Sequence, residues 1–131
     1  MSDTNNIKIG KNVIQIEARA VLAIADRINE QFETAVKTIL DCKGRLIVLG
    51  IGKSGLISQK IASTMASTGT PAHFVHPGDA FHGDLGMITK EDVVLMISNS
   101  GGTHELVQII PAIRKKGVPI IGMIGREAST L

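Results

Sequence analysis

Two short segments of this chain carry residue types that can hold a charged ester and move a proton. They are residues 50–55, with the sequence GIGKSG, and residues 98–105, with the sequence SNSGGTHE. Glycines let a backbone turn tightly and approach a ligand closely, and the free N–H groups at a helix start face an anion. The hydroxyls and the amide of the second segment add hydrogen-bond donors without bulk. Together the two segments predict a phosphate site.

The first segment follows an apolar run and precedes a helical pattern, as a glycine-rich anion loop does. Lys53 at the start of that helix is disfavoured by the helix dipole unless an anion lies near it. A P-loop needs glycine six positions before the lysine, where this chain has Ile47, so a P-loop is excluded. A dinucleotide site is disfavoured because the next strand ends in VHP, without an acidic residue. A turn that needs glycine for geometry alone remains the alternative.

The second segment opens the helix after the third strand. Its alternative interpretation is a serine or threonine helix cap next to a glycine turn. If strands one and three are neighbours, the two loops flank the crevice where open α/β sheets bind ligands. Glu105 in the first helical turn either complements the helix dipole or acts as a general base on a proton next to a carbonyl.

The elements that must position these loops alternate between short apolar runs and helical periodicity. We predict strands at residues 45–50, 71–75, 92–97 and 119–124, helices at 54–67 and 103–116, and an irregular segment at 76–89 with one helical turn. This alternation is typical of an α/β fold with a parallel sheet and helices on both faces. Only a few residues, mostly polar, follow the last strand, and they predict no helix that would cover its outer face. We therefore expect an incomplete domain or a surface covered by a partner.

The N-terminal part predicts a loose tail over residues 1–10 and then a long helical segment. Its apolar stripe follows steps of four and three: Ile14, Ala18, Val21, Ala25, Ile28, Phe32, Ala35 and Ile39. The stripe predicts one helix, or two helices bent near Asn29, lying on the domain's own sheet. In the other interpretation, part of it packs on another subunit and makes the protein a homo-oligomer.

Composition excludes several function classes. The formal charge of +2, with three Phe and no Trp or Tyr, argues against a nucleic-acid surface. The apolar runs are too short to cross a membrane, and the start has no signal-peptide pattern. The single cysteine fits a reducing compartment, and we expect a cytoplasmic protein. The histidines lack paired metal-ligand spacing, so no metal site is predicted: His73, His76, His82 and His104.

Residues 98–105 resemble the S-x-S-G-x-T-x-E signature of sugar isomerase (SIS) domains. Further segments resemble the D-arabinose-5-phosphate isomerase branch of that family: GIGKSG at 50–55, ASTGTP at 66–71, FVHPG at 74–78 and HGDLGM at 82–87. The resemblance runs from about Gly44 onward. It implies an SIS domain over residues 1–131 with a helical segment at 1–43 and a βαβ core at 44–131. It also implies that the chain stops before the second half of the domain and before a pair of CBS modules.

The resemblance implies a flavodoxin-like five-stranded parallel sheet, a homo-oligomer (dimer or tetramer) and no organic cofactor. It implies interconversion of D-ribulose 5-phosphate and D-arabinose 5-phosphate through an enediol, which supplies Kdo for lipopolysaccharide or capsule. The implied phosphate ligands are Gly52, Ser54, Ser98, Asn99, Ser100 and Thr103. The implied catalytic residues are Lys53, Glu105 and His82.

This chain departs from the family pattern in three respects, of which the absence of the CBS modules is the first. Gly102 stands where the signature commonly has glutamate, and the family's further glutamate and histidine come after residue 131. A non-catalytic module that binds a sugar phosphate is therefore the alternative function.

Overall fold

The structure, a computed structural model, describes residues 5–81 and 83–131. The chain divides into two compact units, one up to Thr34 and the other Ala35–Leu131. The domain division expected between residues 43 and 44 stays a prediction.

The helical segment consists of two helices, α1 (Asn6–Ala25) and α2 (Glu30–Leu40), the second of which continues into the larger unit. Of the two predicted alternatives, the structure has two helices with a break near Asn29, whose side chain accepts a hydrogen bond from the backbone N–H of Gln31 at 3.0 Å. α1 begins at residue 6, so the predicted loose tail is wrong for residues 6–10. The cause is Asn5, whose side chain accepts from the backbone N–H of Lys8 at 3.0 Å and so caps the helix.

The larger unit is built on one sheet of four parallel strands. They are β1 (Leu46–Leu49), β2 (Ala72–Val75), β3 (Val93–Ser98) and β4 (Ile120–Ile124). Their spatial order is β2-β1-β3-β4, so the chain moves to one side of β1 first and to the other side afterwards. The predicted parallel α/β sheet is confirmed. The described residues contribute four of the five strands that the resemblance implied.

Helices connect the strands, as the periodicity predicted. They are α3 (Lys53–Ser67), a short α4 (Pro77–Phe81) and α5 (His104–Lys115), and a 3₁₀ turn spans Asp84–Met87. The irregular segment at 76–89 therefore holds two short helical pieces where one turn was predicted. Gly69 and Gly117 follow α3 and α5 with φ of +100° and +73°, a conformation in which glycine readily ends a helix.

Every residue of β1 and β3 is buried, so the two central strands separate two apolar clusters. One cluster joins one set of alternate strand residues to α5: Ile47, Leu49, Val94, Met96, Leu106, Ile109 and Ile113. The other joins the remaining strand residues to α3 and to the end of α2: Leu46, Val48, Val93, Leu95, Ala62, Ile61 and Ile39. Helices therefore pack on both faces of the sheet, as predicted.

One buried carboxylate ties the starts of β1 and β3 together. Asp92 is 2% exposed and accepts hydrogen bonds from the backbone N–H of Arg45 at 2.7 Å and of Thr89 at 2.8 Å. The Thr89 hydroxyl donates at 3.2 Å, and the Arg45 guanidinium lies 3.7 Å away. Burial by itself would raise the pKa of Asp92, but the hydrogen bonds from Thr89 and Arg45 and the charge of Arg45 together lower it.

We predict that Asp92→Asn lowers the free energy of unfolding at neutral pH by about 2 kcal/mol, because an amide cannot accept all of these bonds. The depressed pKa stabilises the fold above the unfolded value of 3.8, and this contribution is lost as the pH falls through the lower folded-state pKa. Urea unfolding between neutral and acid pH should show the gap between wild type and variant closing. Glu91→Gln, at an exposed neighbour, is the control; an equal loss there would contradict the assignment.

Candidate functional site

The two predicted ligand loops leave the same edge of the sheet. β1 and β3 are adjacent and parallel, with Leu49 opposite Met96. The loops that follow them, residues 50–52 and 99–103, therefore start side by side at the point where the strand order reverses. The prediction that strands one and three are neighbours is confirmed. Ligands of open parallel sheets bind in the crevice at such a point.

The first loop is compressed between its strand and its helix. A Cβ on Gly50 would overlap the Ser58 hydroxyl oxygen and would lie 2.8 Å from the Ser54 carbonyl oxygen. That carbonyl also accepts a hydrogen bond of 2.8 Å from the Ser58 hydroxyl. This position therefore requires glycine for steric reasons, which is what the alternative interpretation of the loop states for Gly50.

The start of α3 carries backbone N–H donors that the packing of Gly50 does not involve. Gly52 has φ of +60°, and Lys53 is the first helical residue. The first bond of the helix runs from the Leu56 N–H to the Gly52 carbonyl at 3.1 Å, so the N–H groups of residues 53–55 precede the helical ladder. Lys53 is exposed and Ser54 half-buried beside these groups. A helix start with a cation in its first position can bind an anion.

The second loop is held by hydrogen bonds among its own residues. Ser98 is 3% exposed, and its hydroxyl oxygen lies 2.8 Å from the Thr103 hydroxyl oxygen and accepts from the Gly101 N–H at 3.0 Å. The Gly102 N–H donates to the Ser100 hydroxyl oxygen at 3.2 Å. Thr103 precedes α5 but makes no side-chain capping bond. A simple threonine cap therefore does not account for the loop.

The predicted phosphate ligands differ in accessibility. Gly52, Asn99 and Ser100 are exposed, and Ser54 and Thr103 are half-buried. Ser98 is buried and supports the loop from inside. The phosphate contacts of all six residues stay predictions.

Glu105 lies in the first turn of α5, two residues after Thr103, and is exposed. It belongs to the same sheet edge as Lys53, which begins α3. His82, the third predicted catalytic residue, lies outside the described residues.

The described histidines have local partners in two cases. His76 Nδ1 accepts from the Gly78 N–H at 3.1 Å, and the His104 ring contacts the Gln108 amide. Among the side chains that the structure describes, no group of three or more His, Cys, Asp or Glu residues could hold a metal ion. In residues 5–81 and 83–131, no helix is both long and apolar enough to span a bilayer.

Sequence reasoning missed the contact of residues 125–131 with the second loop. The Gly125 N–H donates to the Ser98 carbonyl at 3.2 Å, and the Leu131 N–H donates to the Gly101 carbonyl at 3.0 Å. Nothing in the residue types of this polar stretch indicated that contact. It arises because β4 delivers the chain to the edge where the loop begins.

A recess of about 220 Å³ lies at the other edge of the sheet, near the starts of β1 and β2. The residues that line it come from two stretches of the chain: Ile39, Leu40, Cys42, Gly44 and Leu46 from the first, and Gly69, Thr70 and Pro71 from the second. Among the residues that the structure describes, none of the predicted ligand or catalytic residues lines it.

The chain is similar to enzymes that act on sugar phosphates. It is 50% identical to the arabinose 5-phosphate isomerase KdsD of Yersinia pestis over 122 residues, which are 93% of this chain and 37% of that enzyme. It is 49% identical to the enzyme of the same name from Pseudomonas aeruginosa over 125 residues, 95% of this chain and 38% of that enzyme. The chain thus spans just over a third of the length of these relatives.

The fold is similar to that of a solved Escherichia coli CFT073 protein in complex with a sugar phosphate. The TM-score is 0.89 at 41% identity, over 98% of this chain and 69% of that one. Residues 39–131 also match the model of the SIS domain family. On the strength of this match and of the well-covered E. coli structure, the chain belongs to the SIS domain family.

Proposed function

We propose that the protein containing this chain is an aldose–ketose isomerase that interconverts D-ribulose 5-phosphate and D-arabinose 5-phosphate. One observation carries the proposal: two donor-rich loops start at the reversal of strand order, and the helix after each loop has an ionisable residue in its first turn. The similarity to enzymes named arabinose 5-phosphate isomerase and to a protein solved with a sugar phosphate supports this substrate class.

The ester phosphate binds between the two loops in this proposal. The N–H groups at the start of α3 and the hydroxyls of Ser54, Ser100 and Thr103 donate to its oxygens, together with the Asn99 amide. Each donor faces an acceptor-only group that carries charge, which makes such bonds stronger than neutral ones. Ser98 is the least accessible of the predicted ligands and acts by fixing the Thr103 hydroxyl.

The reaction moves one proton between adjacent carbons of the sugar. Glu105 takes the proton from C2 of the aldose, the C1–C2 enediol forms, and the same carboxyl returns the proton to C1 while the proton on O2 passes to O1. Lys53 stabilises the negative charge that develops on oxygen. His82 contributes to the same pocket as a hydrogen-bonding group for the sugar.

The wider setting follows from the same proposal. The product supplies Kdo for lipopolysaccharide or capsule, the enzyme works in the cytoplasm, and the chemistry needs no organic cofactor because base and cation come from the protein. A non-catalytic sugar-phosphate-binding module remains the alternative, since the phosphate loops would serve it equally well.

One prediction separates these two functions through Glu105→Gln in the full-length protein. We expect kcat to fall about 10²- to 10⁴-fold, since the amide cannot accept the C2 proton, while the Kd for D-arabinose 5-phosphate changes less than about threefold. A coupled isomerisation assay and calorimetry measure the two quantities. Glu91→Gln, at the far edge of the sheet, is the control. Binding without turnover in the wild type would favour the non-catalytic module.

A second prediction tests the phosphate loop itself. D-arabinose 5-phosphate should raise the Tm of the wild type, because a ligand that binds the folded state stabilises it by mass action. The double variant Ser100→Ala, Thr103→Ala should lose this increase, whereas Ser63→Ala, an exposed hydroxyl on α3, should keep it. An unchanged increase in the double variant would place the anion elsewhere.

We also propose that subunits associate through α1. None of its residues is buried, and its exposed apolar side chains include Ile14 at 67% and Val21 at 65%. A stripe of such residues along a helix is costly to leave in water and is typical of a helix that packs on a partner. Ile14 and Val21 belong to the N-terminal part of the apolar stripe that the sequence predicted.

The prediction that tests this association uses charges on the stripe. Ile14→Asp with Val21→Asp should lower the mass that light scattering reports for the full-length protein, because the added carboxylates oppose burial. Arg19→Asp, off the stripe, is the matched charge change and should leave the mass unaltered. If the double variant retains the mass of the wild type, α1 is not the contact.

A further inference from the structure

Ser129 has a buried hydroxyl oxygen without a hydrogen-bond partner, the one such side-chain atom among the residues the structure describes. A hydroxyl in this situation loses its bonds to water and gains nothing in return. Buried polar groups without partners are rare in folded proteins, and each calls for a specific cause. The position of this hydroxyl supplies the cause.

The Ser129 side chain occupies the place of the side chain that Gly101 lacks. A Cβ on Gly101 would overlap the Cβ and the hydroxyl oxygen of Ser129 and would lie 2.7 Å from Ile124 Cγ2. Gly101 itself is buried, has φ of +65° and sits at the centre of the second loop. Ser129 therefore supports the loop from its inner side, directly behind the exposed turn formed by residues 99, 100 and 102.

The backbone around Ser129 is held to the loop on both sides. The Gly125 N–H donates to the Ser98 carbonyl at 3.2 Å and the Leu131 N–H to the Gly101 carbonyl at 3.0 Å. Leu131 also packs against the apolar cluster that contains α5. These anchors hold the backbone on both sides of Ser129 next to the loop.

The other polar groups of the loop are already engaged. The Ser98 and Thr103 hydroxyls bond to each other, the Gly101 N–H to Ser98, and the Gly102 N–H to Ser100. An incoming phosphate ester accepts hydrogen bonds and donates none, so it draws protons outward from these hydroxyls. The hydroxyl oxygens of the loop then keep free acceptor capacity, and the neighbouring Ser129 hydroxyl has an unused proton to donate.

We propose that Ser129 is a positioning residue of the sugar-phosphate site: its hydroxyl gains a hydrogen bond when an ester occupies the second loop, and that bond holds the loop on the ligand. The inference rests on the proposed function, which places the phosphate at this loop. It adds a residue outside the SIS signature to the binding machinery and gives the unpaired hydroxyl a role.

The test is Ser129→Ala in the full-length protein, with Thr130→Ala, an exposed neighbouring hydroxyl, as the matched control. We expect the Kd for D-arabinose 5-phosphate to rise about fivefold, the value of one hydrogen bond between neutral groups. The Tm without ligand should stay the same or rise, since the variant removes an unpaired buried hydroxyl. The loss should appear in KM and not in kcat, because the phosphate is bound in ground state and transition state alike.

The outcomes separate this inference from the function beneath it. A Kd and KM within twofold of the wild type for Ser129→Ala would overturn the role of Ser129, even where the wild type binds and turns over the sugar phosphate. A lower Tm with unchanged Kd would assign Ser129 a structural role only and would equally overturn the proposal. Failure of the wild type to bind D-arabinose 5-phosphate would contradict the proposed function instead.

Discussion

The parallel pairing of β1 with β3 is the constraint on which the candidate site depends. The pair is buried on both faces and fixed in register by its hydrogen bonds, so the ends of the two strands cannot shift relative to each other. A slip by one residue would turn the apolar residues of β1 from one cluster to the other. Because both loops begin at these ends, the packing of the core also sets the separation of the loops.

Gly50 and Gly101 allow the two loops at this edge of the sheet to pack closely against their neighbours. Gly50 lets the short loop of residues 50–52 pack closely against the start of α3, and Gly101 lets the second loop lie against residues 125–131. At both positions a methyl group would meet fixed atoms of the protein, so neither loop can relax around a side chain. The core therefore holds the N–H groups of the two loops in place before a ligand binds. A ligand then has to order little of either loop, which lowers the entropic cost of binding.

The sequence predicted the strands, the main helices and the neighbouring position of the two loops, because periodicity and glycine placement are local signals. It misjudged the start of α1, where one asparagine cap extends the helix over residues that look like a tail. It also could not show that Ser98 is buried with its hydroxyl next to that of Thr103, since residue type does not reveal the direction of a side chain. The contact of Ser129 with Gly101 joins residues 28 positions apart in sequence and has no local signal.

The burial of Ser98 has a consequence for how the loop can work. A chain of hydroxyls in which the inner member is fixed by a backbone N–H gives its outer members a preferred orientation. Thr103 is the outer member here, and its backbone begins α5, whose first turn holds Glu105. A ligand that orders the Thr103 hydroxyl therefore also fixes the turn that carries the carboxylate. In the proposed function, phosphate binding and proton transfer are therefore coupled through one short segment, which the hydrogen-bonded Ser98 supports from inside.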